Sequence, residues 1–83
     1  MADRPLTYRR LLRILKRFNA YEEKKRGKGS ERMLCRMVEG RLGRFPIRCH
    51  KESEEKPRAV VKAVRRRLGL TEEDGIPDGE FYG

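Results

Sequence analysis

Tyr8, Leu11, Leu12, Leu15 and Phe18 recur at the spacing of one face of an α-helix. The pattern predicts a first helix, with Thr7 as its N-terminal cap and Asn19 as its stop. Its other face carries Arg9, Arg10, Arg13, Lys16 and Arg17. A polar stretch from Tyr21 to Arg26 then runs into Gly27-Lys28-Gly29-Ser30, where two glycines around a lysine end any helix and free the backbone for a tight turn. Met33, Cys35 and Met37 alternate with Arg32, Leu34, Arg36 and Val38, which is strand spacing. Met33, Leu34, Met37 and Val38 would also fit a helix, and the short run with its flanking glycines favours the strand. Glu39 to Gly43 reads as a hairpin loop whose glycines supply positive φ. Arg44 to Cys49 places Phe45, Ile47 and Cys49 on one side and Arg44, Pro46 and Arg48 on the other. Pro46 has no N–H for a ladder, so the strand lies at an edge or turns that side outward. After a charged loop, Pro57 opens a last helix with Val60, Val61, Val64 and Leu68 on one face, and Gly69 closes it. Arg58, Lys62, Arg65, Arg66 and Arg67 form its expected outer face.

The predicted order is helix, strand, strand, strand, helix. Two helices with one apolar stripe each, packed on one face of a three-stranded antiparallel sheet, make an α+β fold. Eighty-three residues suffice for one core, read as a single domain over 1–70 with an acidic C-terminal tail over 71–83. The tail is expected to be loosely structured, with Phe81 and Tyr82 docked.

Charge sharpens the picture. The chain has 22 Lys and Arg against 13 Asp and Glu, a net +9. No basic residue follows Arg67, whereas Glu72, Glu73, Asp74, Asp78 and Glu80 all do, so residues 1–70 hold 22 basic against eight acidic side chains. Such a body attracts phosphate backbones, and the tail could fold back on it and compete. No apolar run approaches the ~18 residues of a spanning helix and no signal-peptide core is visible, which points to the cytoplasm and away from membranes. Two separated cysteines, Cys35 and Cys49, and one histidine, His50, form no familiar zinc set. No metal or other cofactor is expected, and the cysteines are read as buried free thiols. DNA binding is disfavoured, since no short turn joins the two helices.

Three stretches carry a family likeness: Gly27-Lys28-Gly29-Ser30 leading into a strand, Phe45-Pro46-Ile47-Arg48-Cys49-His50 closing the next, and Val60 to Leu70 as a final helix ending Arg-Leu-Gly-Leu. In this order and spacing the chain resembles the HicA-type toxins, small messenger-RNA interferases of bacterial and archaeal toxin–antitoxin pairs, over about residues 6 to 73. The resemblance implies a fold like that of double-stranded-RNA-binding domains, metal-free cleavage of mRNA and neutralisation by a HicB-type antitoxin. In that family a catalytic histidine follows the Gly-Ser pair. Here the position is Glu31, while His50 matches the family's second, proline-preceded histidine.

Metal-free RNA cleavage needs a base for the ribose 2′-hydroxyl, donors for the charge developing on phosphorus and an acid for the leaving oxygen. Glu31 is the candidate base and His50 the candidate acid. Lys24, Lys25, Lys28, Ser30, Arg32 and Arg48 are the candidate RNA contacts, with Lys28 and Arg32 as a phosphate clamp. Two alternatives stand beside the nuclease: a catalytically inactive RNA-binding module of the same type, and a basic protein acting mainly through an acidic protein partner.

Overall fold

A computed structural model describes residues 3–24 and 30–83. The elements are β1 (Leu6–Thr7), α1 (Tyr8–Lys16), β2 (Tyr21–Lys24), β3 (Glu31–Val38), β4 (Arg41–Arg48), β5 (Glu55–Lys56), α2 (Arg58–Arg67), a 3₁₀ turn over Glu72–Asp74 and α3 (Asp78–Tyr82). β2, β3 and β4 form an antiparallel sheet in chain order, and β1 pairs with β5 in a separate two-stranded ribbon. The α+β architecture read from the sequence holds, with the ribbon and α3 added to it.

Local chemistry explains the boundaries. The Thr7 hydroxyl accepts from the Arg10 N–H at 3.2 Å and caps α1. Both long helices end through a left-handed residue, Asn19 (φ 64°) and Gly69 (φ 69°). In each, the next N–H reaches back five residues, Ala20 to the Leu15 carbonyl at 3.0 Å and Leu70 to the Arg65 carbonyl at 2.8 Å. Glu39 and Gly40 connect β3 to β4 with φ of 49° and 81°, a two-residue turn whose twist suits a hairpin. The loop is therefore shorter than the expected 39–43 span. Gly43 lies within β4, where a Cβ would stand 3.0 Å from the Arg67 carbonyl oxygen, so glycine is needed for the close approach of α2 rather than for a turn.

The Cys49 N–H donates to the Ser30 carbonyl at 2.8 Å, which fixes the alternation along the hairpin. The N–H that Pro46 lacks would point to the free edge of β4, as the proline predicts. Leu34, Phe45 and Ile47 turn toward the helices and pack with Tyr8, Leu11, Ile14 and Leu15 of α1 and with Val61, Val64 and Leu68 beneath α2. Full burial of each large aliphatic side chain contributes about 1.5–3 kcal/mol.

Two charged side chains complete the framework. Arg36 of β3 donates through Nε to the Phe18 carbonyl at 2.9 Å and through Nη1 to the Leu68 carbonyl at 2.8 Å, joining the C-terminal ends of α1 and α2. Arg65 is 4% exposed, not on an outer face as expected from its charge. Its Nη1 meets Asp3 and Asp78 at 2.7 Å each, while Nε and Nη2 donate to the Leu70 and Ile76 carbonyls at 2.9 Å. The tail is the reason. Instead of lying loose, it wraps the core: Phe81 is fully buried, stacks on Phe18 with 6.0 Å between centroids, and lies under the Arg65 guanidinium at 4.4 Å.

Candidate nucleic-acid interface

The hairpin end remote from the Glu39-Gly40 turn gathers most of the candidate residues that the structure describes. Glu31 opens β3 directly across from Arg48, which closes β4. Ser30 and Cys49 form the next backbone pair, and His50 follows. A cleft of about 270 Å³ lies here, lined by Glu31, Arg32, Pro46, Ile47 and Arg48.

The 50–56 segment is fastened to this end by Glu54. One of its carboxylate oxygens accepts the His50 backbone N–H at 3.0 Å and the other meets the Lys56 ammonium at 2.8 Å. The Lys56 hydrogen bond, then that of His50, holds the Glu54 carboxyl below its ordinary range. Lys56 is itself buried and also donates to the Arg48 carbonyl. The His50 imidazole stays exposed, and Glu31 is partly exposed.

Arg32 is placed differently from its neighbours. Alternation along β3 turns it to the helix side, opposite to Glu31, so it does not share a face with that carboxylate. Its Nη1 lies 3.1 Å from Glu22 Oε2, the same oxygen that accepts the Tyr8 hydroxyl at 2.7 Å. Glu52 stands at 3.9 Å, and the guanidinium lies 5.4 Å from the Tyr8 ring centroid. Burial, reinforced by the Glu22 hydrogen bond, pushes the Tyr8 phenol far above its usual range, so it stays a donor. Arg32 thus anchors α1 to β2 and β3, and Arg48 is the guanidinium on the same face of the hairpin as Glu31. The side chain of Lys24, together with Lys25 and Lys28, lies outside the described residues.

Both helices present cations to solvent, Arg9, Arg10, Arg13, Lys16 and Arg17 on α1 and Arg58, Lys62, Arg66 and Arg67 on α2. Among the described residues, only Arg9 of these nine has a carboxylate within 4.0 Å, Glu52 at 3.8 Å. Arg17 and Arg67 donate to backbone carbonyls, of Glu80 at 2.7 Å and Arg44 at 3.3 Å. A second groove of about 550 Å³ lies between α1 and β2, lined by Arg9, Arg13 and Lys16, by Leu12, Ala20 and Tyr21, and by the carboxylates of Glu22 and Glu52. The sequence reading did not foresee it. The signal was present in Arg9, Arg13 and Lys16, spaced i, i+4, i+7 beside Leu12. Among the described residues no three His, Cys, Asp or Glu side chains come together as a metal site, and no helix is long and apolar enough to cross a membrane.

Comparisons with protein-family models, with curated proteins and with solved structures gave no match to this chain.

Proposed function

We propose that this protein is a HicA-like RNA-binding domain that acts in the cytoplasm as a metal-independent endoribonuclease on mRNA, restrained by a HicB-type antitoxin. The observation that carries the reading is the run of α1 cations without a carboxylate partner among the described residues, Arg10, Arg13 and Lys16, the last two beside a groove that Tyr21 also lines, on the same small body as a hairpin end bearing Glu31, Arg48 and His50. Cations without carboxylate partners are the groups that exchange counterions for phosphates. Tyr21 offers a ring on which an unpaired base can stack.

In the proposed reaction Glu31 takes the proton of a ribose 2′-hydroxyl, and the freed oxygen attacks the adjacent phosphorus. Arg48 neutralises charge on the equatorial oxygens, and His50 gives a proton to the departing 5′-oxygen. The products are a 2′,3′-cyclic phosphate end and a free 5′-hydroxyl. The test is incubation of the purified protein with RNA in excess chelator, beside the same RNA with a 2′-deoxy substitution at the cut site. Fragments from the first and none from the second support the nuclease. Intact RNA in both, with binding retained, supports the inactive module, which the glutamate at the position of the family's catalytic histidine favours. Neither binding nor cleavage rejects both and leaves the acidic protein partner. Binding that neutralises about six phosphates on single-stranded RNA gives a slope near −4 for log K against log salt.

A further inference from the structure

Among the described residues no helix covers the second face of the sheet, although Cys35 at its centre is buried beside Tyr21 and Arg44. Register and alternation turn Tyr21 and Glu23 of β2, the odd-numbered residues of β3 and the even-numbered residues of β4 away from the helices. The large apolar side chains standing most exposed in the described protein, Tyr21 at 49%, Met37 at 59% and Leu42 at 40%, all belong to this face. Its charged groups are two glutamates, Glu23 and Glu31, and two arginines, Arg44 and Arg48. The face is therefore neutral in a chain of net charge +9, and its charges are segregated, with acids on β2 and β3 and bases on β4.

We propose that this face is a self-association surface, on which a second copy of the chain packs sheet to sheet about a two-fold axis parallel to the strands. Burying exposed tyrosine, methionine and leucine favours a surface of the same kind. The axis is chosen by charge. Rotation about the strand direction lays β2 of one copy over β4 of the other. Tyr21 is level with Cys35 and Arg44 in the sheet, and Glu23 is level with Met33 and Pro46. Glu23 of one copy consequently sits between Arg44 and Arg48 of the other, and Tyr21 faces the opposing Arg44 guanidinium in a cation–π arrangement. Each contact occurs twice by symmetry; β3 lies over β3, so the two Met33 side chains and the two Glu31 carboxylates come near the axis, each Glu31 beside the Arg48 paired with it in its own sheet. A two-fold axis across the strands would instead stack β2 on β2 and β4 on β4, opposing like charges.

Size sets the strength. Three strands about 4.8 Å apart and up to about 26 Å long offer roughly 400 Å² per copy. The total of roughly 800 Å² is below the ~1,200–2,000 Å² of stable complexes, so the dimer belongs with weak, concentration-dependent ones. Sheets stacked face to face would leave the cationic helix faces outward on both sides but cover Tyr21, Glu31 and Arg48, so the dimer and RNA held at the hairpin end are alternative occupants of this face.

Sedimentation velocity at low salt, from about 5 μM to about 500 μM, tests the proposal. The wild-type protein is expected to move from monomer to dimer across this range. Glu23→Arg and Arg44→Glu, both at exposed positions, are each expected to weaken association at least fivefold with unchanged far-UV circular dichroism. An equimolar mixture of the two variants should recover wild-type association, because in the mixed pair both cross-contacts are again opposite in sign. A wild-type protein that stays monomeric over the range overturns the proposal, even if the face then takes RNA or another protein. Two weakened variants that fail to associate on mixing overturn the pairing of Glu23 with Arg44.

Discussion

Arg65→Met tests whether the tail is part of the folding unit. The variant keeps much of the aliphatic volume and removes the guanidinium that is 4% exposed and joins Asp3, Asp78 and two carbonyls. Both carboxylates are themselves largely covered, at 13% and 17% side-chain exposure, and the variant leaves them facing an apolar chain. Removing one partner of a buried ion pair costs about 3–5 kcal/mol, because the remaining charge is neither solvated nor compensated. In a domain of this size 1 kcal/mol corresponds to about 4–8 °C in Tm, so the midpoint should fall by roughly 12–40 °C. Thermal unfolding followed by circular dichroism measures this. Arg65→Lys, which keeps the charge but loses the planar fork, should fall between wild type and Arg65→Met. A drop of less than about 5 °C for Arg65→Met would refute the reasoning and show that the tail is held independently of the guanidinium.

Five further outcomes follow from the same geometry. Glu39→Asn should raise stability by about 0.5–1 kcal/mol in urea titration, because asparagine tolerates the φ of 49° better than glutamate does. Phe81→Ala should cost about 3–5 kcal/mol, and deletion of residues 71–83 should leave a largely unfolded chain rather than one that binds RNA more tightly, as read by circular dichroism. Burial alone would raise the Asp3 carboxyl, yet its hydrogen bonds from Arg65 and Tyr82 outweigh this and hold it below the ordinary aspartate value. Its contribution is therefore complete above the unfolded-state value near 3.8 and is lost as the pH falls through the lower folded value, so Asp3→Asn should flatten the acid limb of a stability–pH curve. Arg13→Ala combined with Lys16→Ala should weaken RNA binding and reduce the salt slope by about 1.4, measured by fluorescence anisotropy at several salt concentrations.

Much of this molecule was written in short-range pattern. The caps at Thr7, Asn19 and Gly69, the alternation around Cys35 and the edge position of Pro46 all follow from one residue and its near neighbours. Arg65 shows how chemistry can mask geometry. Val61, Val64, Arg65 and Leu68 share one helical stripe, so the position was legible as buried, but its charge placed it among the solvent-facing arginines. Gly43 misled in the opposite way, since a glycine near a turn resembles a turn glycine and only the packing of α2 reveals its purpose. The Tyr8, Glu22 and Arg32 cluster joins three elements separated along the chain, and no local spacing announces it. For the hairpin end, register explains why Glu31 and Arg48 meet, while the inward turn of Arg32 depended on knowing which side of the strand the helices cover.

Arg36 has a mechanical consequence. One guanidinium spans the two helix C-termini from β3, so the gap between the cationic surfaces of α1 and α2 is bridged by a side chain of the sheet. On the proposed RNA-binding reading the ligand meets both surfaces across this gap, and shortening the strut through Arg36→Lys would alter which ligand shapes fit without removing a single exposed charge.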